Sequence, residues 1–175
     1  MKRIVISGGP SSGKTTIINE LKRAGHYCFD EVSRELILEA QKKGIAQPFL
    51  VDPEQFNNDL LKARIRQFEK AESLNVTAFY DRGVHDIVGY MHYGKQLIPK
   101  SFNEACKNSK YDQVFLLPPW KTIHVVDNER YESFEQANEV YICLRKTYEE
   151  FGYKIVNVPV GTVTERKDFI LKHIL

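Results

Sequence analysis

Residues 8–15, Gly-Gly-Pro-Ser-Ser-Gly-Lys-Thr, satisfy the pattern GxxxxGK[ST]. The chemistry behind that spacing is phosphate binding. A polyphosphate is best held by backbone N–H groups that point inward, and only small residues let the chain wrap that closely. The segment Gly8, Gly9, Pro10, Ser11, Ser12 and Gly13 supplies this backbone, and Lys14 follows at once with an ammonium placed for the β- and γ-phosphates. The Thr15 hydroxyl is placed for Mg²⁺, and Thr16 continues the first helical turn. A helix opening here adds free N–H donors and positive potential. The expected ligand is ATP, with GTP as an alternative, together with Mg²⁺.

Such a loop does not state what becomes of the γ-phosphate. In open parallel sheets ligands sit at the carboxyl ends of the strands, so the residues there are the next candidates. After "HYCF" (26–29) come Asp30 and Glu31. Either carboxylate fits a general base for an acceptor hydroxyl, and either also fits an ordinary cap of the next helix, with Arg34 pairing a neighbouring acid or meeting substrate. After "VTAFY" (76–80) come Asp81, Arg82 and Gly83. Asp81 is the expected second acid near Mg²⁺, reached through water, Arg82 faces a phosphate, and His85 is a possible substrate contact. After "QVFLL" (113–117), two prolines open a stretch without clear period that reads as a lid over about 118–132, with Lys121 and Arg130 as its cations. A lid arginine would stabilise charge on the transferring phosphoryl group. After "KIVNV" (154–158), Val160, Gly161 and Thr162 form a small-residue turn suited to the nucleobase or simply to capping the last helix.

These residues need strands and helices in alternation, and the chain provides them. Apolar runs of four or five residues alternate with amphipathic stretches, which predicts an α/β fold with a mostly parallel sheet. "RIVIS" (3–7) precedes the loop, and Ile17, Ile18, Leu21 and Ala24 repeat at helical spacing after it. A second helix runs through Leu36, Ile37 and Ala40 and stops near Gly44. "DPEQ" (52–55) caps a long helix to about residue 73, with Gln55 reaching back and Arg64 and Arg66 on its solvated face. "SFNE" (101–104), "SFEQ" (133–136) and "TVTE" (162–165) read as further capping boxes.

Composition bounds the rest. The 175 residues suit one domain spanning the chain, and the net charge of +2 is too balanced to argue for nucleic acid. The three cysteines are Cys28, Cys106 and Cys143; none forms a CxxC pair, so the expectation is a reducing, cytoplasmic location without disulfide or zinc. The start "MKRIVIS" is too short an apolar run for a signal peptide, and no run approaches the ~18 residues of a membrane span.

In order, "KRIVISGGPSSGKTTIINEL", "DEVSRE", "FYDRG", "QVFLLPPW", "DNERYESFEQA" and "YEEFGYKIVNVPVGTVTERKDFIL" resemble the AAA-domain family of small P-loop ATPases, nucleoside- and nucleotide-kinase-like proteins. The family is similar to the nicotinamide-riboside-kinase domain of NAD regulators and to TRPL-translocation-defect proteins. The resemblance covers nearly the whole chain. It implies a three-layer α/β/α P-loop domain with a five-stranded parallel sheet of order 2-3-1-4-5, phosphate and Mg²⁺ at Gly8 to Thr15, Asp81 in the Walker B-like place, and Arg130 as the lid arginine. It leaves two functions open: a kinase for a small acceptor such as a nucleoside or nucleotide, or a nucleotide-dependent regulatory module with slow hydrolysis.

Overall fold

The computed structural model describes residues 1–124 and 132–174. Five parallel strands form one sheet: β1 (Arg3–Gly8), β2 (Tyr27–Phe29), β3 (Ala78–Asp81), β4 (Gln113–Leu117) and β5 (Ile155–Asn157), in the order β2-β3-β1-β4-β5. This is the kinase-type order. The strand run that precedes the glycine loop is therefore central, with β3 on one side and β4 on the other. Ile6 is level with Asp81 and Gly8 with Leu117, so the loop and the end of β3 open at the same sheet edge.

The short apolar runs are strands because both faces of the sheet are covered. Ile4 and Ile6 pack with Ile17, Ile18 and Leu21 of α1 (Lys14–Arg23) and Ile170 of α8 (Val163–Lys172) on one face. Val5, between them, points the other way and joins Tyr80, Val114 and Tyr148, as the period of two requires. That second face is closed by α4 (Pro53–Leu74), α5 (Val84–Tyr93) and α7 (Phe134–Glu150). The remaining helices are α2 (Val32–Lys42), α3 (Pro48–Val51) and α6 (Lys100–Asn108). No helix among the described residues is long and apolar enough to cross a membrane.

Three caps form as the sequence indicates. Asp52 accepts the Gln55 N–H at 3.0 Å, and Ser133 and Thr162 make capping boxes with Gln136 and Glu165. Gln55 does not reach back; its amide goes to Asp59 instead. "SFNE" is not a cap, since α6 starts at Lys100 after Pro99 and places Ser101 inside the helix. Helix α5 is unforeseen because seven of its ten residues are buried, which erases the polar–apolar period that marks a surface helix.

Candidate functional site

The loop between β1 and α1 closes on itself through small residues. Gly13, the N-cap of α1, has φ +86°, a left-handed conformation that glycine adopts without penalty. A side chain there would also stand 2.8 Å from the guanidinium of Arg166. Lys14 is buried and donates from Nζ to the Gly9 carbonyl at 2.7 Å and to Ser12 Oγ at 3.3 Å. Burial, and then the nearby Arg82 charge, pull its pKa down to about 7. Thr15 and the exposed Thr16 occupy the first turn of α1, where backbone N–H groups have no intrahelical acceptor.

Asp81 ends β3 beside the loop, with the Thr15 hydroxyl donating to its Oδ2 at 3.4 Å. Its Oδ1 is buried without a partner. Burial and then the Glu31 charge raise the Asp81 carboxyl to about 6. An orphaned carboxylate oxygen next to a loop hydroxyl is the donor set a hydrated Mg²⁺ needs, since this ion takes few protein ligands and keeps its waters. Thr15 and Asp81 therefore fit the ion. Among the described residues, no group of three His, Cys, Asp or Glu side chains gathers to hold a metal.

The second part of the site is a charge cluster assembled from three elements. Glu31 is the N-cap of α2 and accepts the Ser33 N–H. Its carboxylate pairs with Arg64 Nη2 of α4 at 2.9 Å and with Arg82 Nε. Burial alone would raise its pKa, but the two guanidinium groups outweigh that and hold it at about 2. Arg64 also donates to the Gly83 carbonyl at 2.7 Å. Arg82, at φ +73°, reaches the phosphate loop by donating to the Gly8 carbonyl at 3.1 Å, and its guanidinium lies 5.0 Å from the Tyr90 ring centre. One arginine thus touches the loop and the carboxylate together. Beside the cluster, a cavity of about 340 Å³ lies between α2 and α4, lined by Val32, Leu36, Glu35, Glu39, Asp59 and Arg66 among others.

Several sequence candidates lie elsewhere. Asp30 turns to the surface, where Lys22 donates to its two oxygens at 2.5 and 2.6 Å, so of the two carboxylates only Glu31 enters the cluster. His85 is a correction. It is fully buried among Tyr111, Tyr148, Phe151 and Tyr153, and burial lowers its pKa to about 4, so it belongs to the core. Arg34 is exposed on α2 and outside the cavity lining. Thr162 and Gly161 form the cap of α8, with Thr162 Oγ1 bonded to Glu165. Lys121 sits exposed in a single 3-10 turn after the prolines, and Arg130 lies outside the described residues.

Two buried arginines escaped the sequence reading. Arg64 is 3% exposed, not on a solvated face. The signal was its place in the stripe Leu60, Leu61, Arg64, Ala71, where a charge interrupts an apolar face. Arg166 lies under the loop, donates to the Ser12 carbonyl at 3.0 Å and faces the Trp120 ring at 5.9 Å; no local pattern marks it.

The profile of a family described as AAA domain matches residues 3–166. Among curated proteins, none matches the chain. Solved structures do. Deoxyadenosine kinase from M. mycoides with bound dATP superposes with a TM-score of 0.68 at 18% identity, covering 98% of each chain. The same kinase with dCMP and dCDP gives 0.69 at 18% identity over 97% of each. NadR protein in complex with NAD and AMP-PNP gives 0.64 at 22% identity, covering 97% of this chain and 47% of that one.

Proposed function

The chain belongs to the AAA-domain family, and from that premise we propose that it is a kinase moving the γ-phosphate of ATP to a hydroxyl of a small, nucleoside-like acceptor. The observation that carries the proposal is the Glu31–Arg82–Gly8 chain of contacts, which sets a carboxylate beside a polyphosphate loop. A slow nucleotide-dependent switch would not need that carboxylate. The neighbours named deoxyadenosine kinase and NadR, in complexes with dATP, AMP-PNP and NR, support the same class.

The residues divide the work by position. Backbone N–H groups of Gly9 and of Ser11 to Thr16 and the Lys14 ammonium bind the β- and γ-phosphates. Thr15 and Asp81 would hold Mg²⁺, which when bound would neutralise charge on the phosphate oxygens. Arg166, with the Gly161–Thr162 turn, borders the nucleobase side. Glu31 accepts a hydrogen bond from the acceptor hydroxyl and aims it at the γ-phosphorus. A carboxylate held near 2 is a weak base, so orientation comes first and the proton moves late, once bond formation has made the hydroxyl acidic. Catalysis then rests on positioning and charge stabilisation.

A hydroxyl acceptor fits better than a phosphate. Binding a monophosphate calls for uncommitted guanidinium groups, whereas Arg64 and Arg82 are both engaged by Glu31. The cavity wall adds Glu35, Glu39 and Asp59 against Arg66. A phosphate acceptor is moreover already an anion and needs no base. The test is ATP turnover against matched nucleosides and nucleoside monophosphates, with product masses. Stimulation by nucleosides and not by monophosphates supports the proposal. No stimulation by any acceptor, with Glu31→Gln equal to wild type, would leave the binding-module reading in its place.

A further inference from the structure

Asp86 enters none of the roles above, yet its carboxylate is fully buried and uses both oxygens. Oδ1 accepts from Ser7 Oγ at 2.6 Å and lies 3.5 Å from Arg82 Nη1. Oδ2 accepts the Gly83 N–H at 2.8 Å and the Tyr148 hydroxyl at 2.5 Å. The donors come from three places: the last residue before the phosphate loop, the turn after β3, and α7. An ionised carboxylate removed from water is costly unless paired and hydrogen-bonded. Here three neutral donors and one guanidinium at 3.5 Å surround it.

Each contact bears on Arg82. This residue is held at φ +73°, a left-handed conformation that is unfavourable for a non-glycine and persists only where the surroundings impose it. The Gly83 N–H bond pins the peptide just after it, and the Oδ1 charge draws its Nη1, which also donates to Gly8. Ser7 ties the same carboxylate to the strand that leads into the loop. A side chain at Gly83 would stand 2.9 Å from the Tyr148 hydroxyl, so the turn and that donor are built against each other.

We propose that Asp86 is a positioning residue for phosphoryl transfer: its buried carboxylate, clamped by Ser7, Tyr148 and the Gly83 N–H, fixes the Arg82 guanidinium between Glu31 and the phosphate loop. This rests on the kinase reading for its consequence, but not for its geometry. Asp86→Asn keeps shape and most hydrogen bonds, because the Ser7 and Tyr148 hydroxyls can turn to accept, while the charge on Arg82 is lost.

The test has two arms. In the first, Asp86→Asn lowers kcat by about 10–100-fold while KM for ATP moves by less than about threefold, because misplacement of a reacting group costs turnover more than binding. In an Arg82→Ala background the same substitution costs less than about twofold, since the two act as one unit. Equal losses in both backgrounds would overturn the proposal. In the second arm, hydrogen exchange of the Arg82 Nε–H, followed by NMR, speeds up about tenfold or more in Asp86→Asn as that group loses its fixed place, while Arg166 Nε–H is unaffected. Unchanged Arg82 exchange would overturn the proposal whatever the activity. If wild type shows no acceptor-stimulated turnover, the kinase reading fails and the exchange arm alone decides. Should Asp86→Asn not fold, Ser7→Ala removes one aiming donor with the charge kept, and it must move both readouts in the same direction by less.

Discussion

On the proposed kinase reading the loop is the donor half of the site and the charge cluster its acceptor half, and the two are built on different principles. The donor half is local. Eight consecutive residues, a strand before them and a helix after them make a concave set of backbone donors, and one ammonium completes it. The acceptor half is distributed. Glu31, Arg64 and Arg82 come from the start of α2, the middle of α4 and the residue after β3, and each is oriented by a charge from a distant element as well as by a backbone contact. A local device tolerates change elsewhere in the fold, whereas a distributed one fails when any element shifts. The comparison predicts that substitutions in the two halves separate cleanly in their readouts.

The largest effects are expected at Glu31 and Lys14. Glu31→Gln keeps the shape and removes the proposed base and the countercharge for two arginines. Turnover with an acceptor should fall by roughly 10²–10⁴-fold, with ATP affinity changed far less. Lys14→Ala should do the reverse in kind, weakening Mg-nucleotide binding as well as abolishing turnover. Equal patterns from the two variants, measured by calorimetry and steady-state kinetics, would erase the division into halves.

Arg64 shows the same division through stability. Arg64→Leu leaves Glu31 with Arg82 alone and the Gly83 carbonyl without its donor, so the fold should lose about 3–5 kcal/mol in denaturant melts, the usual cost of breaking a buried pair. Its pH dependence has a definite sign. The Glu31 carboxyl sits at about 2 in the fold, below its ordinary value of 4.5. Its contribution to stability is therefore full above about 4.5 and is lost as pH falls from there toward 2. Arg64→Leu should flatten that acid limb. An acid limb as steep as that of wild type would mean that Arg82 alone sets the Glu31 pKa.

Asp81 joins the halves, and Asp81→Asn should have a smaller, conditional effect. The Mg²⁺ concentration needed for half-maximal turnover should rise by roughly tenfold, with nucleotide affinity in the absence of metal nearly unchanged. An unchanged Mg²⁺ titration would make Asp81 a structural partner of Thr15 only.

The same contrast explains what could be read from the sequence. The phosphate loop was legible in full, because its chemistry depends on neighbours in the chain. Strand β4 was legible to the residue, since "QVFLL" is a short apolar run ended by two prolines. Glu31 was legible only as one of two carboxylates; choosing it over Asp30 needed Lys22, which claims Asp30 from another helix. Arg64 was visible as a residue but not as a buried one, because its burial depends on Glu31, which lies 33 positions away. His85 failed for the opposite reason. A histidine beside an Asp-Arg pair reads as chemistry, and only the packing of α5 against α7 shows that it is core. Arg166 carries no local mark at all, since the contact that defines it spans 154 residues.

The smallest and most selective expected signal is a proton. Lys14 is held at about 7 in this structure by burial and by the Arg82 charge, against 10.5 for an ordinary lysine. Near pH 8 much of it is therefore neutral, while a bound triphosphate strongly favours the ammonium. Nucleotide binding should then take up close to one proton at about pH 8, with uptake fading as pH falls below 7 because the lysine is already charged there. The nucleotide itself is fully ionised at that pH, and Asp81, at about 6, is already deprotonated, so neither contributes. The measurement is the binding heat in buffers of different ionisation enthalpy. Lys14→Arg keeps a cation that does not titrate in this range, so its binding heats should be independent of the buffer. Buffer-independent heats in wild type, or equal uptake in Lys14→Arg, would show that Lys14 enters binding already charged. Burial and the Arg82 charge together would then be too weak to neutralise Lys14 in the empty loop.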